Sequence, residues 1–232
     1  MDIIRENIEV INKKKNEITM RAGREPDEVL LVAVTKTRTA DEINAAIDAG
    51  ITDIGENKVQ EIIDKYENVK HVCWHMIGHL QTNKVKYIID KVSLIHSVDS
   101  IKLALEIDKR AAQSGIVMDI LIQVNAAKEE SKFGITTEET EKLIEDILEH
   151  CGNIRIRGLM CIAPFADDPE DVRVYFKEVK GLYDRYAAME RPRLDFRYLS
   201  MGMSHDYEAA IMEGSNLIRI GTAIFGERNK TK

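Results

Sequence analysis

Short apolar runs alternate along this chain with longer stretches whose apolar positions recur at helical spacing, the pattern of strands each followed by an amphipathic helix. The first run, Val29 to Thr37, is Val- and Leu-rich until it meets Lys36. Apolarity without alternation predicts a strand covered on both faces, as in a parallel sheet. Thr39 can cap a helix over Ala40 to Ala49 that stops at Gly50. Further strands are expected at Asp53–Asn57, Val72–Ile77, Leu94–Val98, Met118–Val124, Ile154–Ile162, Phe196–Leu199 and Leu217–Ile220. Helices are expected at Lys58–Tyr66, Thr82–Ile89, Ser100–Gln113, Thr137–His150, Asp168–Met189 and His205–Met212.

Eight such strands in 232 residues predict an α/β fold, a (β/α)8 TIM barrel, which typically needs ~250 residues. An extra N-terminal helix, about Ile3 to Ala22, precedes it, with Ile4, Ile8, Ile11 and Ile18 at rough helical spacing. No Gly-, Pro- or Ser-rich linker interrupts the pattern, so residues 1–232 read as one domain. An open doubly wound sheet is the rival architecture, but no dinucleotide fingerprint supports it.

Composition changes this picture little: 44% hydrophobic and 31% charged residues suit a soluble globular core. The formal charge of -7 argues against a general nucleic-acid binder, which needs a basic surface. No run approaches the ~20 apolar residues of a membrane span, and Met1–Lys15 lacks the apolar block of a signal peptide. Cys73, Cys151 and Cys161 are scattered, without a CxxC. They read as reduced structural thiols, and the expected location is the cytoplasm.

Barrel active sites lie at the C-terminal ends of the strands, and several polar residues fall there. Lys36 ends strand one, Glu56-Asn57 strand two, His75 strand three and Asn125 strand five. A lysine at the end of a buried strand is desolvated, which favours the neutral amine and makes it a candidate Schiff-base nucleophile. Snorkelling or pairing with a carboxylate is the bland alternative. Barrels often hold a phosphate between the loops after strands seven and eight. There, Ser204 is placed to cap a helix starting at His205, Gly202 permits close backbone approach, and Gly221-Thr222 follow strand eight. A phosphate site beside a strand-end lysine suits a phosphorylated aldehyde, pyridoxal 5'-phosphate among them.

The segments Ala33-Val34-Thr35-Lys36-Thr37, Gly55-Glu56-Asn57-Lys58-Val59-Gln60-Glu61, Trp74-His75-Met76-Ile77-Gly78-His79-Leu80-Gln81-Thr82-Asn83-Lys84, Phe133-Gly134, Gly158-Leu159-Met160, Ser200-Met201-Gly202-Met203-Ser204 and Ile218-Arg219-Ile220-Gly221-Thr222 occur in order across nearly the whole chain. Together they closely resemble the YggS/PROSC family, the pyridoxal phosphate homeostasis proteins. Met76 departs from the family pattern, which usually carries an aromatic residue there.

The resemblance implies a barrel like the N-terminal domain of alanine racemase, with pyridoxal phosphate held as a Schiff base on Lys36. It further implies Ser200, Ser204, Gly221 and Thr222 around the phosphate, with Met203 in the same loop. Arg219 would face the pyridine nitrogen and Asn57 would lie near the ring. A guanidinium there keeps the ring nitrogen unprotonated and makes the cofactor a weaker electron sink.

Alanine racemase takes a second acid/base from a second domain, and this chain stops after the eighth barrel unit. The expectation is therefore a monomeric carrier that buffers or delivers the cofactor without robust catalysis. A weak racemase and a Schiff-base aldolase are the enzymatic rivals. Tyr66, Tyr87, Tyr183 and Tyr186 fall on outer helices, and nothing singles out Tyr207 as a base. His75 and His79 straddle a strand end without a third ligand in view, which disfavours metal. Ser204-His205-Asp206 are adjacent and cannot assemble as a hydrolytic triad. Lys84 and Lys86 read as solvated charges, with contacts to recipient apo-enzymes as their other reading.

Overall fold

The computed structural model describes residues 2–129 and 132–227. Eight parallel strands close into a barrel in sequence order: β1 (Leu30–Val34), β2 (Asp53–Glu56), β3 (Cys73–Met76), β4 (Leu94–Val98), β5 (Met118–Val124), β6 (Ile154–Cys161), β7 (Leu194–Ser200) and β8 (Leu217–Ile220). Around them stand α1 (Asp2–Arg21), α2 (Ala40–Asp48), α3 (Val59–Tyr66), α4 (Ile101–Gln113), α5 (Thr140–His150), α6 (Arg173–Ala187), α7 (Tyr207–Met212) and α8 (Thr222–Phe225). The TIM barrel and its N-terminal helix are thus as the sequence predicts.

The N-terminal helix has a structural reason. Helix α8 is a single turn and cannot cover the seam between β8 and β1. Helix α1 completes the ring by burying Ile4, Ile8, Ile11 and Ile18, while Asn7 Nδ2 donates to Ile224 O at 2.9 Å. The first loop anchors to the same helix, since Lys15 Nζ donates to the carbonyls of Pro26 and Val29.

Three elements differ from the sequence reading. The turn after β3 is a 3-10 helix over Thr82–Tyr87, where the Lys84 and Lys86 ammoniums lie over the Tyr87 ring. The stretch Asp168–Met189 divides into a 3-10 turn, Pro169–Val172, and α6. Pro169 begins that turn, and the Asp168 side chain accepts from Glu170 N, the chemistry of a helix start. Helix α7 begins at Tyr207 with Asp206, not Ser204, at its N-cap position. The Asp206 carboxylate accepts from Met203 N at 2.6 Å and closes the preceding turn.

Two apolar layers result. A large cluster fills the space between strands and helices, and a small one, Val32, Leu94, Leu121, Met160 and Leu217, lies inside the barrel. Neighbours in parallel register share a face, so the pairing identifies what else points inward. Val32 aligns with both Asp53 and Arg219, His75 with Leu94, and Ser200 with Met160 and Leu217. His96, two residues beyond Leu94, takes the same face.

Candidate cofactor site

Strand β1 ends at Val34, and the chain turns sharply through Thr35, Lys36 and Thr37. Thr37 sits at φ +65°, a left-handed conformation that costs a β-branched residue about 1–3 kcal/mol and persists only where surroundings enforce it. Here the enforcement is visible. Thr37 N donates to Glu61 Oε2 at 2.6 Å. Lys65 Nζ donates to the Thr35 carbonyl (3.0 Å), Glu56 Oε1 (2.7 Å) and Glu61 Oε2 (2.8 Å). Thr35 Oγ1 donates to Glu56 Oε1 at 2.7 Å. Helix α3 thereby grips the turn that carries Lys36. Burial pushes the Glu56 carboxyl up, while Lys65 and Thr35 act against that shift.

Lys36 is half-buried and lines a cavity of about 220 Å³ with Val34, Arg38, Met203, Ser204, His205, Arg219, Gly221 and Thr222. Among these described lining residues there are two arginines and a lysine but no carboxylate. Such a donor set suits a dianionic phosphate. Ser204 Oγ accepts from Gly221 N (3.3 Å) and Ala223 N (3.4 Å), so this serine ties the loop after β7 to the turn after β8 instead of capping α7. Gly202 allows that loop to pack: at φ +94° a side chain would meet Tyr207 Cα and the Ala210 methyl at 2.8 Å.

Two expected residues stand apart from the cavity lining. Ser200 is fully buried; its Oγ accepts from Arg219 Nη1 at 2.5 Å and lies 3.1 Å from His96 Nδ1. It therefore sits beneath the cavity, inside the barrel. Asn57, just after β2, presents a buried Oδ1 that has no partner among the described residues. Gly78 packs so closely on the Asn57 backbone that a Cβ would collide with its carbonyl. Asn125 ties its own loop, donating to the carbonyls of Glu129 and Lys132.

Arg219 lies almost fully buried on β8. Besides Ser200, it donates from Nη2 to the Cys161 carbonyl at 2.9 Å. Burial pushes its pKa down to about 10, so the guanidinium stays protonated at neutral pH. The same burial pushes the Cys161 thiol up to about 12.

Sequence reasoning missed Arg38, His205 as a lining residue, the Lys65–Glu56–Glu61 cluster and His96. A signal existed for His96: it is a lone imidazole among apolar Leu94, Ile95 and Val98 in the strand Leu94-Ile95-His96-Ser97-Val98. His205 Nε2 contacts the Ala166 carbonyl at 2.9 Å, and its ring stacks on Phe165. His79 stacks on Phe133, with centroids 3.9 Å apart. Among the described residues no cluster of His, Cys, Asp and Glu could hold a metal ion, and no helix is long and apolar enough to cross a membrane.

Comparison with known proteins places this geometry. Residues 4–229 match the family "Alanine racemase, N-terminal domain". A pyridoxal phosphate homeostasis protein of Aquifex aeolicus is 47% identical over 210 residues, 90% of this chain and 91% of that one. A solved protein from Bifidobacterium adolescentis superposes with a TM-score of 0.91 at 37% identity, covering 97% of this chain and 95% of its own. PipY of Synechococcus elongatus, solved with PLP bound, gives a TM-score of 0.80 at 31% identity and covers 96% and 100%. This chain therefore belongs to the alanine racemase N-terminal domain family and, within it, to the pyridoxal phosphate homeostasis proteins.

Proposed function

We propose that this chain binds pyridoxal 5'-phosphate as a Schiff base on Lys36 and serves in its homeostasis in the cytoplasm, as a monomeric carrier whose recipients are apo-enzymes that use the cofactor. Residues 1–232 act in this reading as one cofactor-binding barrel. The observation that carries it is the meeting of Lys36 with Ser204, Gly221, Thr222 and Arg219 around one cation-rich cavity. Relatives named for pyridoxal phosphate homeostasis and a PLP-bound relative support the choice of ligand. When bound, the cofactor supplies an aldehyde carbon and an electron-poor ring.

The protein's part is to hold it. Lys36 offers the amine, on a turn gripped by Lys65 and Glu61. Ser204 and the turn at Gly221-Thr222 form the side suited to the phosphate. Met203 borders the same cavity, and the unpaired Asn57 Oδ1 offers an acceptor near the end of β2. Arg219 favours holding over turnover: a protonated guanidinium donates to a ring nitrogen and cannot take a proton from it, so the nitrogen stays an acceptor.

The test is an absorption spectrum of the protein with added pyridoxal phosphate, before and after borohydride, followed by mass spectrometry. A visible band converted by reduction into a phosphopyridoxyl adduct mapping to Lys36 is the expected result. No band, or an adduct on another lysine, overturns the reading.

A further inference from the structure

A continuous hydrogen-bonded chain crosses the interior of the barrel and ends at the cavity. Asp53 opens β2 at the N-terminal end of the barrel, and its side chain keeps 12% exposure. Asp53 Oδ1 lies 3.0 Å from His75 Nε2. His75 Nδ1 lies 2.9 Å from His96 Nε2, and His96 Nδ1 lies 3.1 Å from Ser200 Oγ. Arg219 Nη1 closes the chain on Ser200. The five residues come from β2, β3, β4, β7 and β8, and each is buried.

The end groups dictate the direction of every link. A guanidinium only donates, so Ser200 Oγ accepts from Arg219. Because the carboxylate at the far end takes the His75 Nε2 proton, in a chain of neutral imidazoles the Ser200 hydroxyl proton points to its other neighbour, His96 Nδ1, an unprotonated acceptor. A neutral His96 carries its proton on Nε2 and donates it to His75 Nδ1. His75 in turn carries its proton on Nε2 and donates to Asp53, a carboxylate that only accepts. Asp53 Oδ2 is satisfied separately by Thr52 Oγ1 at 2.7 Å. No other neutral assignment of the two histidines satisfies all four links.

We infer that Asp53, His75, His96 and Ser200 form a one-directional relay that positions Arg219 in the cavity and fixes both histidines as neutral Nε2–H tautomers. Full burial keeps His96 from protonating, with any positive charge on His75 and the positive charge of Arg219 acting the same way. The His75 hydrogen bond helps hold the Asp53 carboxyl below its usual range. The other groups facing the two ends are the Cys161 thiol and Asp206 near Arg219, and Cys73 near Asp53. With Nη1 committed to Ser200 and Nη2 to the Cys161 carbonyl, the guanidinium plane is clamped. Ser200 and both histidines thus become positioning residues for ligand recognition. The clamp itself is independent of the ligand; its effect on pyridoxal phosphate rests on the function proposed above.

Two measurements test it. Histidine side-chain 15N NMR of the unliganded wild type at neutral pH should show His75 and His96 as neutral Nε2–H tautomers. An imidazolium or an Nδ1–H tautomer at either residue overturns the relay. Equilibrium dialysis and absorption spectra with pyridoxal phosphate then compare Ser200→Ala with Ser200→Thr. Losing a hydrogen bond to a charged group should weaken binding about tenfold or more in the Ala variant and shift its bound spectrum, while Thr, which keeps the hydroxyl, restores both. Affinity and spectrum unchanged in Ser200→Ala overturn the positioning role. Should the Ala variant fail to fold, the wild-type tautomers decide. If the tautomers are as stated but the wild type takes up no pyridoxal phosphate, the relay stands and the proposed function falls.

Discussion

Between strands and helices, burial is almost wholly aliphatic: Ile43, Ile54, Ile62, Ile107 and Ile147 lose all solvent contact there. Inside the barrel, equally dry, five apolar residues share the inward positions with polar ones, among them the chain Asp53, His75, His96, Ser200 and Arg219. A buried polar group costs free energy unless it is hydrogen-bonded. The interior tolerates five because each satisfies the next and the two ends carry opposite charge. Among the charged groups outside the barrel interior, the cluster of Glu56 with Lys65 and Glu61 braces the Lys36 turn. Polarity is thus concentrated along the path to the cavity and beneath the candidate anchor.

The largest effect expected is at the anchor itself. Lys36→Ala should abolish the borohydride-reducible adduct while leaving the thermal transition near that of wild type. An adduct of undiminished yield would detach the cavity from the chemistry assigned to it. Next, Lys65→Met should cost about 3–5 kcal/mol in chemical denaturation, because it strands the Glu56 carboxylate in an apolar layer. Pairing it with Glu56→Gln should recover much of that loss. A loss below about 1 kcal/mol in the single variant would mean that Glu56 takes up a proton at little cost. Ile54→Ala, in the aliphatic layer, should cost about 2–5 kcal/mol through lost burial and a residual cavity.

A smaller effect is the pH dependence of the interior. His96 is held neutral in the folded state, whereas an unfolded histidine takes a proton below about pH 6.5. The unfolded chain then binds more protons than the folded one. Stability should therefore fall as pH drops below about 6.5, by up to about 1.4 kcal/mol per pH unit for one group. The lowered carboxyl of Asp53 adds a loss of the same sign nearer pH 4. The raised carboxyl of Glu56 opposes both, since its contribution is lost as pH rises through its folded value. His96→Leu should reduce the slope that begins near pH 6.5 in urea titrations. An identical slope in the variant would assign it elsewhere. Smallest is the exposed Lys70–Asp48 pair: Lys70→Ala should change stability by about 0–1 kcal/mol.

The candidate anchor was legible because a lysine ending a Val- and Leu-rich run is a local anomaly. The loops at Ser200–Ser204 and Gly221-Thr222 were legible by position, at the ends of the last two strands, whereas Arg219 was legible only through the family resemblance. The helix start at Ser204 was not, because Asp206, two residues on, competes for the same turn and closes it by accepting from Met203 N. The family resemblance implied Ser200 beside the phosphate; the pleat turns its side chain into the barrel toward Arg219. His75 drew notice as a polar residue at a strand end and as a metal candidate, with His79 as its partner four residues away. Its actual partners, Asp53 and His96, lie 22 and 21 residues distant on neighbouring strands.

By itself the sequence determined what depends on local periodicity and end signals: eight strands in parallel order, the extra helix that packs where α8 is too short, and the lysine at the mouth. Which polar residues meet was decided only by closure of the barrel. The link from His96 to Ser200 spans 104 residues and joins β4 to β7, strands that are not neighbours in the sheet. That contact exists because the sheet curls until opposite walls come within hydrogen-bonding distance, and strand periodicity carries no record of that curvature.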